Sequence, residues 1–371
     1  MSRESRGIVL IMYVLIAFGI VMIYSASAVY SDQIYHSATY FFRRQLFYVI
    51  LGSLVFSFCM NLNPDLLREH SKGLIIAGIF FLLLVFVPKI GHSAGGARRW
   101  IGLSIFNIQP VEYIKLAICL YLSDYLTRRL KPLAEGDPSI LLPPLAVLGV
   151  TLGFLILQPD LGSCIFILLV SGILFFLAGI KLRYVAMALF PVIGGVVILI
   201  IKAPYRLSRI SAFLNPWKDP GGSGFQIIQS FISFEMGGVK GVGLGQSTQK
   251  LFYLPQSYTD FIFSIIGEEL GLIGTFSILL LYLSFFFLGI RIANKSREPF
   301  YRLFSYSLVL VVVLQGLINV LVTTGLIPTK GLPLPFVSYG GTSLIFNMIT
   351  VSFLVSLDQK VTSRSSFHHD T

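Results

Sequence analysis

The stretch "YLPQSYTDFIFSIIGEELG", residues 253–271, sets one carboxylate, Asp260, just before a long apolar run and two more, Glu268 and Glu269, inside it. A carboxylate at the start of an apolar segment has two uses. It can cap a helix by accepting free backbone amides, or it can take a proton as a general base. Capping leaves a second pattern unexplained, because cations gather in the polar segments around this one: Arg98, Arg99, Arg206, Arg209 and Lys250. A general base beside a cationic, phosphate-binding cluster would explain both. Arg206 and Arg209 are three apart, so a short helix would present both to one side.

The other carboxylates read differently. At 1.5 Å per residue, Glu268 and Glu269 lie about 12–14 Å further along a helix than Asp260, and they point about 100° apart. They are expected to lock helices together, with a buried proton relay as the alternative. Glu112 and Lys115 are three apart in another apolar segment and are expected to pair as structural groups, which lowers the burial cost of both.

The elements that must position these groups are membrane helices. Of the 371 residues 55% are hydrophobic and only 12% are charged, against about 25% charged in soluble domains. The chain is therefore expected to be an all-α polytopic membrane protein forming a single membrane domain over residues 1–371. Windows of about 20 apolar residues fall near 8–28, 46–62, 73–90, 108–126, 140–158, 161–180, 183–203, 260–290, 302–325 and 341–358, about ten spans. The fourth is the weakest, since Glu112 and Lys115 interrupt it. The short loops rich in Lys and Arg place both termini in the cytoplasm. Residues 204–259 become a large extracytoplasmic loop between helices 7 and 8, and residues 359–371 a cytoplasmic tail.

Within the large loop, "FQIIQSFISFEM" reads as an amphipathic helix in the membrane interface. The glycine-rich "GGVKGVGLG" allows close backbone approach, to a phosphate or at a hinge. Cys59, Cys119 and Cys164 lie far apart in apolar segments, which suggests neither a disulfide framework nor a metal site. The net charge of +11 is explained inside by topology and anionic lipids and outside by an anionic ligand. No nucleic-acid partner is expected.

Several runs together resemble the SEDS family (shape, elongation, division and sporulation proteins). They are "GARRWI", "QPVEYIKL", "QPDLGS", "RISAFLNPWKDP", "GFQIIQS", "GLGQSTQKLFYLPQSYTDFIFSIIGEELG" and "PTKGLPLPFVSYGGTSL", in the family's order. The last two are more similar to division and sporulation members than to the elongation member. The resemblance implies a glycosyltransferase that polymerises lipid II outside the bacterial cytoplasmic membrane, at the division septum, and releases undecaprenyl pyrophosphate. It also implies a class B penicillin-binding protein as partner, together with other division-complex membrane proteins. By position, Asp260 matches the family's essential aspartate. Arg206, Arg209, Lys250, Arg98, Arg99, Trp100 and Gln226 are the expected substrate-binding residues. Gln256 and Tyr258 replace a Glu and a His common before the aspartate, and Val111 replaces a Ser.

Three functions compete. In an inverting polymerase, Asp260 deprotonates the acceptor hydroxyl and the outer cations take the leaving diphosphate. A divalent cation (Mg or Mn) could share that task, although one carboxylate is a poor metal cage. A lipid II flippase would need Glu112, Lys115, Asp160, Glu268 and Glu269 along a path through the membrane. A scaffold would make Asp260 dispensable.

Overall fold

The structure, a computed structural model, describes residues 1–94, 97–103, 106–130, 138–187, 190, 194–195, 204–251 and 253–367. In chain order its helices are α1 (Arg3–Tyr35), α2 (Tyr40–Met60), α3 (Pro64–Glu69), α4 (Ser71–Leu84), α5 (Pro110–Thr127) and α6 (Leu142–Leu157). They continue with α7 (Leu161–Leu177), α8 (Pro204–Leu214), α9 (Phe225–Gly237), α10 (Ile262–Lys295), α11 (Pro299–Thr323) and α12 (Gly341–Phe367).

Among the described residues six helical segments are long and apolar enough to cross a membrane: α1, α2, Ser139–Leu157, α10, α11 and Gly341–Ser363. The chain is thus an all-α, multi-pass membrane protein. Two apolar helices, α4 and α7, are shorter. The window expected at 183–203 is helical over 182–187, and most of its remainder lies outside the described residues. The fourth window is α5, which carries Glu112, Lys115 and Asp124. It is buried along nearly its whole length, with α4, α7 and α11 packed around it. A helix covered on all sides sits at the centre of the bundle, and there its charges need protein partners. Glu112 Oε2 and Lys115 Nζ are 2.8 Å apart, and the same ammonium donates to Gln315 Oε1 at 2.7 Å.

A small sheet lies between α4 and α5, outside the helical reading. Its strands β1 (Gly91–Ala94), β2 (Ala97–Leu103) and β3 (Phe106–Ile108) pair antiparallel in sequence order. Pairing satisfies the backbone groups of a segment too polar to enter a helix. The sheet is tied to the start of α12, where Thr342 Oγ1 donates to the Asn107 carbonyl at 2.7 Å.

The feature that shapes the rest is a break in α10. Gly271 takes φ 64°, ψ −157°, and divides the helix into a short segment, 262–270, and a long one beginning at Leu272. The apolar run 272–290 is close to the ~20 residues needed to cross a bilayer alone. Glu268 and Glu269 therefore stand on the loop side of the break, and the earlier placement of both deep within one continuous span is corrected.

The glycine-rich segment repairs the break. The amides of Val242 and Gly243 donate to the carbonyls of Glu268 and Glu269 at 2.9 and 3.0 Å. The amides of Leu272 and Ile273 in turn donate to the carbonyls of Gly238 and Val239 at 2.9 and 3.3 Å. This approach requires glycine: a Cβ on Gly241, whose φ is +78°, would stand 2.2 Å from the Glu269 carbonyl oxygen. The segment is a splint for the helix, so the phosphate-cradle reading of "GGVKGVGLG" is replaced.

Gly241→Ala should therefore lower the thermal midpoint of the purified protein in detergent, with a loss of at least about 2 kcal/mol from strain and lost pairing. Gly149→Ala, in α6 with nothing within 4 Å of the new Cβ, should be neutral or stabilising by up to about 1 kcal/mol. Equal midpoints for the two variants would remove the splint from the account.

Candidate active site

Asp260 ends the loop that leads into α10, and that loop is fastened from both sides. On one side Glu268 gathers its beginning. Ser247 Oγ donates to Oε2 at 2.5 Å, while the Thr248 amide and Oγ1 donate to Oε1 at 2.7 and 3.1 Å. Glu269 pairs with Lys250 at 2.8 Å and accepts from Ser25 Oγ of α1 at 2.6 Å. Both glutamates are fully buried. They tie the loop to α10 and α1.

On the other side, the loop between α11 and α12 holds the residues next to Asp260. Ser338 Oγ donates to the Thr259 carbonyl at 2.6 Å, and the Tyr339 amide donates to the Tyr258 carbonyl at 3.0 Å. Asn319 of α11 donates through Nδ2 to the carbonyls of Asp260 and Leu332, both at 2.8 Å. Rings from α1 and α2 complete the wall. Phe41 and Tyr30 lie 4.6 and 5.6 Å, centroid to centroid, from Tyr258.

The carboxylate itself is left over. α10 starts at Ile262 with Phe261 at its N-cap and no side-chain cap, so capping is not the use of Asp260. Among the described residues its carboxylate accepts no hydrogen bond. It keeps partial access to solvent while lying deep among protein atoms. Burial pushes it up to about 6, Arg209 and Arg99 pull in the opposite direction, and Asp160 adds to the rise. A carboxylate poised there is a competent base at neutral pH. Room beside it is kept by Gly331, where a Cβ would stand 3.1 Å from Asp260 Oδ2.

Two expected cations reach this carboxylate electrostatically. Arg209, on α8, is half-buried and donates to the Thr329 carbonyl at 3.2 Å. Arg99, on β2, donates through Nε to the Gln158 carbonyl at 3.2 Å and through Nη2 to that of Pro159. Strand alternation sets Arg98 and Trp100 on the opposite face of β2. Arg98 is exposed there, and the expectation that both arginines of the pair join one site is corrected. Arg206 belongs to the first turn of α8, and its side chain lies outside the described residues. Gln226 is half-buried near the start of α9.

Lys250 is a clear correction. It is 7% exposed and already neutralised by Glu269, with its ammonium also donating to Ser25 Oγ at 3.1 Å. Its charge holds the loop and is not available to a phosphate. The α9 helix forms where the amphipathic stretch was read, yet it buries Ile227, Ile228, Ser230 and Ser233 in protein. Ser230 Oγ lies 2.6 Å from both Ser264 Oγ and the Thr323 carbonyl, which fixes α9 to α10 and α11.

Two neighbours were missing from the expected substrate site. Asp160 caps α7, with Oδ1 accepting from the Ser163 amide at 3.2 Å and Oδ2 from Ser163 Oγ at 2.8 Å. Lys330 is half-buried beside Gly162, and burial lowers its pKa. The signals were present: an Asp three residues before a Ser at a helix start, and a lone cation in a Gly/Pro-rich loop.

The chain as a whole has counterparts among known proteins. The cell cycle protein family of FtsW, RodA and SpoVE matches residues 6–363. The chain belongs to this SEDS family of peptidoglycan glycosyltransferases. It is 41% identical over 360 residues to the probable peptidoglycan glycosyltransferase FtsW of Geobacter sulfurreducens, covering 97% of this chain and 96% of that one. It is 39% identical to the stage V sporulation protein E of Bacillus subtilis, covering 95% and 96%. It also superposes on a chain of a peptidoglycan synthase complex that coordinates polymerization and crosslinking. The TM-score there is 0.77 at 27% identity, over 96% of this chain and 97% of the other.

The donors in this SEDS site do not make a metal cage. Asp160 spends both oxygens on Ser163, which leaves Asp260 as a single carboxylate facing two guanidinium groups, whereas Mg²⁺ or Mn²⁺ would need several oxygen ligands. No step is routed through a metal.

Asp260→Asn keeps the size of the side chain and removes the titratable carboxylate, so polymerisation of lipid II should fall about 10²–10⁴-fold with expression unchanged. In the wild-type protein the base form prevails above its pKa. The rate should therefore fall as pH drops through about 6 and be flat above it. A wild-type rate for the Asn variant, or a rate that is flat from pH 5 to 8, would exclude Asp260 as the base.

Proposed function

We propose that Asp260 and the arginines beside it carry out an inverting glycosyl transfer between lipid II units on the outer face of the cytoplasmic membrane. The chain is a peptidoglycan glycosyltransferase of cell-wall synthesis during division. The observation that carries the mechanism is a half-buried carboxylate that accepts no hydrogen bond among the described residues and lies within the electrostatic reach of two guanidinium groups. Asp260 takes the proton from the acceptor's 4-hydroxyl as that oxygen attacks the donor's anomeric carbon. The bond from that carbon to the diphosphate breaks on the opposite side, and undecaprenyl diphosphate leaves with the electron pair. Arg209 and Arg99 balance the charge that develops on it. The proton on Asp260 is then lost to water before the next cycle.

The rest of the reading follows from this site. We read ten spans, adding α4, α5, α7 and the 183–203 segment to the six long apolar helices, with both termini cytoplasmic and the 204–259 loop outside. The partner is a class B penicillin-binding protein at the septum, a reading supported by the likeness to a complex that joins polymerization to crosslinking. A flippase is disfavoured by the charges it would need. Glu112 is paired with Lys115, Glu269 with Lys250, and Glu268 and Asp160 are saturated with hydroxyl and amide donors.

Arg209→Ala should lower kcat/KM for lipid II by on the order of 10², and Arg209→Lys should restore only part of it because the planar fork is lost. Lys250→Ala leaves Glu269 buried without its cation, so it should lower the thermal midpoint strongly. Steady-state rates and melts on both variants distinguish the roles. A Lys250→Ala protein of normal stability with a selective rise in KM would return that lysine to the phosphate site.

A further inference from the structure

A cavity of about 330 Å³ opens at the far end of α5, between that end and the corner where α3 meets α4. α5 begins beside the sheet that carries Arg99, so its 18 residues, about 27 Å of helix, separate this cavity from the Asp260 site. Lys72, Arg128 and Arg129 line it as cations, with Glu69 and Asp124 as carboxylates.

The charges there are not evenly spent. Asp124 is 4% exposed, and both its oxygens are used inside the protein. Oδ1 accepts from Arg68 Nε at 3.0 Å and Arg128 Nε at 2.7 Å, and Oδ2 accepts from Ser71 Oγ at 2.9 Å. Arg68 is further paired with Glu298 at 2.6 Å. Among the described residues, Lys72 and Arg129 have no carboxylate at ion-pair distance. Arg129 is held in place without one, its guanidinium 4.0 Å from the centroid of the Tyr125 ring. That ring is fixed in turn, since Tyr125 donates its hydroxyl to the Ile140 carbonyl at 2.9 Å. Stacking orients the fork and leaves its N–H groups available. Tyr121, one turn earlier on α5, brings a second ring into the same wall.

We propose that this cavity is a binding site for a phosphate-bearing ligand, the headgroup of an anionic lipid in the leaflet opposite the Asp260 site. The general excess of cations on one membrane face requires only surface charge. It does not require a walled cavity, a carboxylate neutralised in advance, and an arginine stacked in place with its donors unspent. Basic pockets between membrane helices are the form that anionic headgroup sites take.

The test uses the full chain in neutral detergent, with phosphatidylglycerol, phosphatidylcholine or inorganic phosphate added. Thermal midpoints and retained lipid by native mass spectrometry are read on wild type, on Lys72→Gln/Arg129→Gln, and on Arg291→Gln/Arg297→Gln. The last is a charge-matched control at exposed positions. Phosphatidylglycerol should stabilise the wild type and the control but not the cavity variant, whose affinity should fall about 30-fold. Phosphatidylcholine should do nothing. A response to inorganic phosphate alone that is lost in the cavity variant would support the phosphate site with a soluble ligand in place of a lipid. Equal responses from the cavity and control variants would overturn the proposal. Lys72→Gln alone changes one exposed residue and should show a partial loss, which keeps the test decisive if the double variant does not fold.

Discussion

The break of α10 at Gly271 is the constraint on which the rest of this structure depends. A helix interrupted inside a membrane protein frees amides and carbonyls that hydrocarbon cannot satisfy. Here residues 238–243 satisfy two of each by lying directly against the broken backbone, an approach open only to glycine at Gly241 and Gly271. Once that splint is in place, the chain after it must continue along 262–270, and Glu268 and Glu269 are the groups it meets. Their contacts with Ser247, Thr248 and Lys250 carry the loop toward Asp260. The position of the Asp260 carboxylate is thus set by backbone geometry more than ten residues away from it.

Charge is distributed according to the same economy. Removing one partner of a buried pair costs about 3–5 kcal/mol, and the buried charges on α5 and α10 are committed accordingly. Glu112 has Lys115, Asp124 has two arginines and a serine, and Glu269 has Lys250. Asp260 is the exception. Its main chain is held by Asn319 and its neighbours are held by Ser338 and Tyr339, while its carboxylate faces arginines that are themselves anchored to carbonyl groups. Rigid backbone and an unspent carboxylate are the combination that preorganised catalysis needs.

Much of this was legible in the sequence because it is local. Apolar windows located the six long apolar helices, the i, i+3 spacing marked the Glu112–Lys115 pair, and Asp260 stood out as a carboxylate at the rim of an apolar run. What was not legible depends on contacts between residues distant in the chain. Lys250 looks like an outer cation until the loop folds back and brings Glu269 to it, and Ser25 of α1 joins them from 225 positions away. Glu268 and Glu269 read as deep charges because periodicity assumes an unbroken helix, and one glycine at positive φ cancels that assumption. Two of the three strands between α4 and α5 are only three or four residues long, too short to declare themselves by alternation. Arg98 and Arg99 look equivalent until pairing assigns them to opposite faces of one strand.

The central claim is that the chain joins lipid II units at Asp260 on one face of the membrane, and proteoliposomes test it most directly. Purified protein, with and without its cognate transpeptidase, would be reconstituted with lipid II, and glycan polymer and transbilayer movement of lipid II measured in the same vesicles. The account expects polymer to form from lipid II on the face that carries Asp260, without acceleration of transbilayer movement. Rapid movement of lipid II between leaflets with no polymer, in either preparation, would contradict it.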